Sequence, residues 1–404
     1  MIEQRVVRWS DRFAARTRVD VGEGLADILA LSGATDLISF SGGFPDPATF
    51  PGHALADLLG RLLDSGDPSP FQYAPTRGLP GPLDYMASRL QRLEGRRPAP
   101  EELMISSGGV EALELLSKSF LDPGDLALVE GPTYLGAVMA FRSFEAAVTG
   151  VPMDAHGLRV DALADLLAAG ARPKLLYTIP DHQNPFGVSL VADRRATLVD
   201  LARRYGFLIV EDVAYRELGF DDTRPECLWS LGPDVVVQSG TFAKTFFPGV
   251  RLGWAAGPAE VIDQMISAKQ NTDQCAGALG QRLLEEHGRA GGLDACIARA
   301  RGLYRGRAQL LMAALDRRMP AGVTWTRPQG GFFSWLTLPA GLDSAELARR
   351  AMAGGVAFVP GAPFYPDDRG GNELRLSFSR IADDDIDEGI RRLAELVQDA
   401  SAQG

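Results

Sequence analysis

The sequence predicts an α/β protein: a large domain built on a mostly parallel central sheet, followed by a smaller α+β domain. Three observations carry this. Short continuous apolar runs recur from about residue 100, helical patterns such as RRATLVDLARRYG separate them, and after about residue 290 the regular alternation breaks down. Strands covered by helices on both faces read as unbroken apolar runs rather than as alternating ones. With 404 residues, the chain has room for one domain of roughly 250 residues and a smaller one.

Taken in order, residues 1–45 are too few to form a core of their own. They are expected to pack on the C-terminal domain or on a partner subunit. The large domain is expected over 46–290. Its runs are LMIS (103–106), LALVE (126–130), KLLYTIP (174–180), FLIVED (207–212) and VVVQSG (235–240), and RLGWAAGP adds a further strand. After LMIS, Val110, Leu113, Leu116 and Phe120 recur every three to four residues, the spacing of one helix face. The small domain, 291–404, begins with a long helical pattern (294–319). VTWT, GGFFSWLTLP, a short helix from Asp343, VAFVPG and ELRLSFS follow.

Composition narrows the function. A net charge of −11 argues against a nucleic-acid or membrane-surface role. Cys227, Cys275 and Cys296 form no CxxC pair, and MIEQRVVRWSDRF has no apolar signal region, so a reduced, cytoplasmic compartment is expected. No apolar run reaches about 18 residues, so no membrane span is expected. His53, His156, His182 and His287 are scattered without ligand spacing, and no metal site is expected.

In doubly wound sheets, ligands gather at the carboxyl ends of the strands. Here those ends read SSGGVEA, EGPTY, PDHQNPFG, EDVAY and SGTFAK, each polar, Gly-rich or aromatic. SSGGVEAL suits an anion at a helix start, or simply a tight turn with Ser107 as N-cap. No GxxxxGK[ST] or GxGxxG stands there. Glu211 and Asp212 point to opposite faces of their strand, so one of them can face a shared cleft. A buried aspartate needs a cationic or hydrogen-bonding partner. A protonated heterocyclic nitrogen would serve, as would an internal ion pair or a helix to cap. Asn184 sits in a turn closed by Gly187, and Tyr134 offers a flat face for stacking or for packing. In ELRLSFS, Arg375 lies opposite Leu374, Leu376 and Phe378, placed for a carboxylate clamp or for a surface salt bridge.

Lys244 weighs most. It follows the VVVQ strand within an otherwise uncharged stretch that ends at Arg251. A lysine in a dry site loses its proton readily and becomes a nucleophile toward carbonyls. Thr241 and Arg251 can bind a phosphate, and Arg251 would depress the lysine's pKa by repulsion. A phosphorylated aldehyde with a ring nitrogen, pyridoxal 5′-phosphate (PLP), meets these demands together. A buried structural ion pair is the alternative.

From SGGFPDPATFP (41–51) to ELRLSFS, the chain resembles the class I/II aminotransferases, PLP enzymes of fold type I. QYAPTRGLPG, SSGGVEAL, EGPTY, PDHQNPFG, EDVAY, SGTFAKTFFPGVRLGW and the arginine strand occur in the family's order. The flavour is nearest the 2-aminoadipate and kynurenine aminotransferase branch, which also holds domains of transcription regulators. Those regulators carry a DNA-binding domain, and only about forty residues precede SGGFPDP, so that reading is set aside. The resemblance implies roles residue by residue. Lys244 would form the aldimine with PLP and shuttle the proton. Asp212 would hold the ring nitrogen, Asn184 and Tyr215 the ring oxygen, and Tyr134 the ring face. Thr241, Arg251 and the N–H groups of Gly109 and Val110 would hold the phosphate, joined by Tyr73 from the other subunit of a homodimer. Arg375 would bind the substrate α-carboxylate in a pocket lined by Gly43. Ala243 stands where many relatives have serine, and Gly109–Val110 where many have a Ser-Gln pair. Arg77 is expected near the cleft or on the solvated surface, and Arg16 and Arg18 near a distal substrate carboxylate or likewise on the surface. The implied activity is transfer of an amino group from an amino acid to a 2-oxo acid, with 2-oxoglutarate the implied acceptor. Elimination, cyclisation, decarboxylation or carbon–carbon bond formation from the same aldimine is the alternative.

Overall fold

A computed structural model describes residues 8–18 and 37–403. Strand β1 (Ile38–Ser39) precedes eight strands of a central sheet. These are β2 (Leu103–Ser106), β3 (Leu126–Gly131), β4 (Ala147–Asp154), β5 (Gly157–Leu158), β6 (Leu175–Thr178), β7 (Leu208–Asp212), β8 (Val236–Thr241) and β9 (Gly253–Ala256). They lie in the order β2-β9-β8-β7-β6-β3-β4-β5. From β8 through β7, β6 and β3 to β4 every pairing is parallel. β9 runs antiparallel between β8 and β2, and β5 antiparallel at the far edge.

Each predicted run lies in this sheet, and RLGWAAGP supplies β9. The runs are continuous because both faces are covered. Ala127 and Val129 of β3 pack into one apolar cluster and Leu128 into another. Leu175 and Tyr177 of β6 and Leu208 and Val210 of β7 join the first, while Leu176 and Ile209 join the second. The helix Gly109–Phe120 covers one face with Leu113 and Leu116, and Ala192–Tyr205 covers the other with Leu198 and Ala202. β4 escapes the apolar-run criterion because it lies toward the sheet edge, and of AVTGVPMD only Val151 is buried.

A second, antiparallel sheet contains β10 (Thr324–Trp325), β11 (Phe333–Thr337) and, after β12 (Val356–Ala357), β13 (Val359–Pro360) and β14 (Glu373–Ser377). Its order is β10-β11-β14-β13. The helix Ser344–Ala353 starts where the Asp343 carboxylate accepts the N–H groups of Ala345 and Glu346 at 2.8 and 2.9 Å, satisfying donors that a helix start leaves free. β1 pairs in parallel with β12 through Ile38 and Val356, so this part of the N-terminal segment lies against the C-terminal one. Among the described residues no helix is long and apolar enough to cross a membrane.

The loop after β6 is fixed by a buried ionic network. Asp181 accepts from Arg195 at 2.6 Å and from Arg216 at 2.8 Å, and Arg216 also pairs with Glu94 at 2.7 Å. These side chains are all at most 5% exposed. Burial alone would raise the Asp181 pKa, yet the two guanidiniums hold it down at about 2. Its stabilisation is therefore full above the ordinary aspartate range and is lost as the pH falls toward 2. Arg216→Met would leave Asp181 short of one partner and Glu94 without its cation, at a cost of about 3–5 kcal/mol. Urea denaturation of the variant reads this directly, and a loss below about 1 kcal/mol would mean that the network does not hold the loop.

Candidate active site

The carboxyl ends of β3, β6, β7 and β8 open onto one cavity of about 510 Å³, ample for a small ligand. Gly43, Gly109, Val110, Tyr134, Asn184, Asp212, Tyr215, Thr241, Lys244, Arg251 and Arg375 all line it, and so does Ala243. Tyr73 does not: it stands 80% exposed on the surface.

Lys244 follows β8, and its Nζ donates to the Gly43 carbonyl at 2.8 Å. Desolvation, and next the Arg375 guanidinium, lower its pKa to about 8, with Asp212 opposing and Arg251 adding a smaller push. The repulsion expected from Arg251 is thus present, but Arg375, far away in sequence, exerts the greater one. At the end of β7, Asp212 accepts the Ala214 N–H at 3.0 Å and the Tyr177 hydroxyl at 2.8 Å. Burial raises its pKa against those bonds. Among the described residues it is in no ion pair, and Lys244 acts on it only through its charge. Glu211, on the opposite face, takes the capping role instead. Its carboxylate accepts the N–H groups of Leu228 and Trp229 and the Gln238 amide.

Arg375 is 4% exposed, so the surface salt bridge is excluded. Its Nη1 donates to Asn184 Oδ1 at 3.0 Å and its Nη2 to the Ser41 carbonyl at 2.7 Å, while Nε is buried without a partner among the described residues. The Phe333 and Phe364 rings flank the guanidinium at 4.4 and 4.8 Å. Burial lowers its pKa to about 10, with Tyr215 and Tyr134 opposing. Asn184 precedes a cis proline. The loop closes at Gly187, whose φ of +75° and position under the Phe333 carbonyl leave no room for a Cβ.

At another end of the cavity, the helix Gly109–Phe120 presents its free N–H groups beside Thr241 and Arg251. Ser107 is not its N-cap. That position falls to Gly108, at φ +109°, while the Ser107 hydroxyl goes to Asp273. Tyr134 turns its ring over Gly136, where a Cβ would stand 2.5 Å from the ring. Arg77 is tied to the carbonyls of Pro100, Glu101 and Leu103 and to Asp263 and does not line the cavity. Arg16 is exposed, the Arg18 side chain lies outside the described residues, and so does the stretch 19–36.

Sequence reasoning missed Tyr177 and Phe364: Tyr177 hides inside an apolar run, and Phe364 reaches the site from the turn Ala362–Phe364. The donor set fits PLP. An amine of lowered pKa, a buried carboxylate, a helix start flanked by a guanidinium, and an arginine with an unpartnered Nε occupy a single cavity.

Residues 49–393 match the family model of aminotransferase class I and II. The chain is 36% identical over 382 residues to the aromatic-amino-acid aminotransferase 1 of Thermococcus litoralis, covering 93% of this chain and 91% of that protein. The structure of Pyrococcus horikoshii kynurenine aminotransferase superposes with a TM-score of 0.92 at 36% identity, covering 96% of this chain and 98% of that one. The α-aminoadipate aminotransferase of Thermus thermophilus, solved with N-(5′-phosphopyridoxyl)-L-leucine, gives 0.91 at 36% identity, covering 98% of this chain and 100% of that one. This chain belongs to the class I and II aminotransferases, PLP-dependent enzymes of fold type I that pass an amino group from an amino acid to a 2-oxo acid.

Proposed function

We propose that the transfer is carried by Lys244, with Asp212 and Arg375 as its two fixed partners. The observation that supports this is the meeting in one cavity of an amine with a lowered pKa, a buried carboxylate and a guanidinium with a free Nε. PLP, when bound, supplies an electron sink for the charge left on a substrate α carbon. Asp212, oriented by Tyr177 and Ala214, holds the ring nitrogen; Asn184 and Tyr215 hold the ring oxygen, and Tyr134 covers the ring. Thr241, Arg251 and the N–H groups of Gly109 and Val110 hold the phosphate. Arg375 binds the substrate α-carboxylate beside Gly43, while Phe333 and Phe364 exclude water from it. Lys244 Nζ, neutral above about pH 8, accepts the proton from the substrate α carbon and redelivers it.

The rest of the described lining is largely apolar, with Phe44, Leu113, Leu135, Ile179 and Phe364. Its cations are Lys244, Arg251 and Arg375, each already given a role. This favours an amino donor with an apolar or aromatic side chain. We keep 2-oxoglutarate, the acceptor that the resemblance implies, and a cytoplasmic homodimer in which Tyr73 reaches the partner's site. Tyr73 and its neighbour Phe71 are 80% and 55% exposed, as suits a surface that a second subunit covers. We also take residues 46–290 as the cofactor domain and 291–404 as the small one. The central sheet falls within the first and the four-stranded sheet within the second.

An amino-donor panel, read by the cofactor's absorbance with each product weighed by mass spectrometry, tests the substrate reading. Phenylalanine and leucine should convert the spectrum at least about tenfold faster than glutamate, and the reverse order would sink it. Titration tests Lys244. Its pKa lies below the 10.5 of a free lysine, so the amine is neutral over an interval in which free lysine is charged. PLP capture by the apoenzyme should rise with pH, half-complete near 8. Asp212→Asn should move that midpoint down and Arg375→Met move it up, and a midpoint near 10 would refute the assignment. Mixing tests the shared site. Lys244→Ala and Tyr73→Ala proteins should each be inactive or weak alone, and should regain roughly a quarter of wild-type activity when co-refolded, because each mixed dimer holds one intact site. Absence of any gain would count against Tyr73.

A further inference from the structure

Behind the helix start that is proposed to hold the phosphate lies a group of charges that the reaction does not use. Lys269, on the helix Ala259–Gln270, is 0% exposed. Its Nζ donates to both carboxylate oxygens of Glu111 at 2.7 Å and to those of Asp273 at 2.7 and 2.8 Å. Both carboxylates then grip Ser107. Glu111 Oε2 accepts the Ser107 N–H at 2.6 Å, and Asp273 Oδ2 accepts its hydroxyl at 2.5 Å. Lys269 itself stands 3.4 Å from the Ser107 hydroxyl, and Arg251 donates to the Ser107 carbonyl at 3.4 Å. The turn before Gly108 is thus fastened at its N–H, its side chain and its carbonyl. None of Lys269, Glu111, Asp273 and Ser107 lines the cavity.

We propose that Lys269 is a positioning residue for the cofactor phosphate: through Glu111, Asp273 and Ser107 it fixes the direction of the N–H groups at Gly109 and Val110. The inference rests on the reading that these groups hold the phosphate. Gly109 and Val110 carry no polar side-chain atom, so beyond Thr241 and Arg251 the grip depends on backbone direction, which the turn sets. Lys269 also offsets charge. Without it, two carboxylates would stand behind a site for a phosphate dianion, where repulsion acts at low dielectric.

The test compares PLP with pyridoxal, which lacks the phosphate, by measuring the affinity of the apoenzyme for each. In Lys269→Met with Glu111→Gln, the buried pair is removed together, and Asp273, 31% exposed, stays solvated. This variant should bind PLP about tenfold or more weakly, an effect typical of outer-shell partners, and pyridoxal within about twofold of wild type. Ser107→Ala leaves the ion pairs intact and should show the same selective loss in smaller measure, and it decides the matter if the double variant does not fold. Equal losses for both ligands, as from general destabilisation, would overturn the proposal, and so would no loss for PLP. If the wild type itself binds PLP no better than pyridoxal, the phosphate reading fails first and the inference falls with it.

Discussion

Parallel pairing of β3, β6, β7 and β8 obliges their carboxyl ends to share one rim, and the site depends on that constraint. Tyr134, Asn184, Asp212, Thr241 and Lys244 come from segments far apart in the chain, yet each follows or ends one of these strands. In an antiparallel arrangement alternate ends would point away from the cleft. Register matters as much as direction. Side chains alternate along a strand, so a slip of one residue in β7 would exchange Asp212 for Glu211 at the cavity. It would also strip the Leu228 and Trp229 N–H groups of their acceptor.

The rim gathers more positive charge than it can balance. Among the described residues, Lys244, Arg251 and Arg375 face the cavity with Asp212 as the anion among them. Burial drives both Lys244 and Arg375 toward neutrality. A ligand that brings a phosphate and a carboxylate relieves this field from both ends. Binding to the folded state alone also stabilises it by mass action. The aromatic rings beside Arg375 work in the same sense. They withhold water from the guanidinium but offer it the negative face of a ring, which keeps an unpartnered Nε tolerable until a carboxylate arrives.

Much of this was legible in the chain. The apolar runs located the parallel strands, period-two alternation separated Asp212 from Glu211, and an ammonium after a core strand singled out Lys244. What could not be read depends on register and on distant contacts. The Tyr177 hydroxyl reaches Asp212 only because β6 and β7 pair in the register that sets Tyr177 against Val210. Arg375 outweighs Arg251 at Lys244 although it belongs to the other sheet. Nearness in sequence also misled. Arg77 follows the Tyr73 segment, yet its guanidinium is spent on three backbone carbonyls and Asp263. β4 was missed for a simpler reason, since a strand near the sheet edge need not be apolar on both faces.

One short loop links the parts. Asp181 anchors its start through two arginines, and Glu130 reaches under it to accept the Gln183 amide at 2.9 Å. At its far end Gly187 lies against the Phe333 carbonyl, so the second sheet closes over it. Between these anchors stands Asn184, whose amide oxygen accepts from Arg375 and whose neighbour across the cavity wall is Tyr215. The group proposed to hold the ring oxygen therefore also braces the group proposed to hold the substrate. A substitution at Arg375 would thus also remove a hydrogen-bond partner of Asn184.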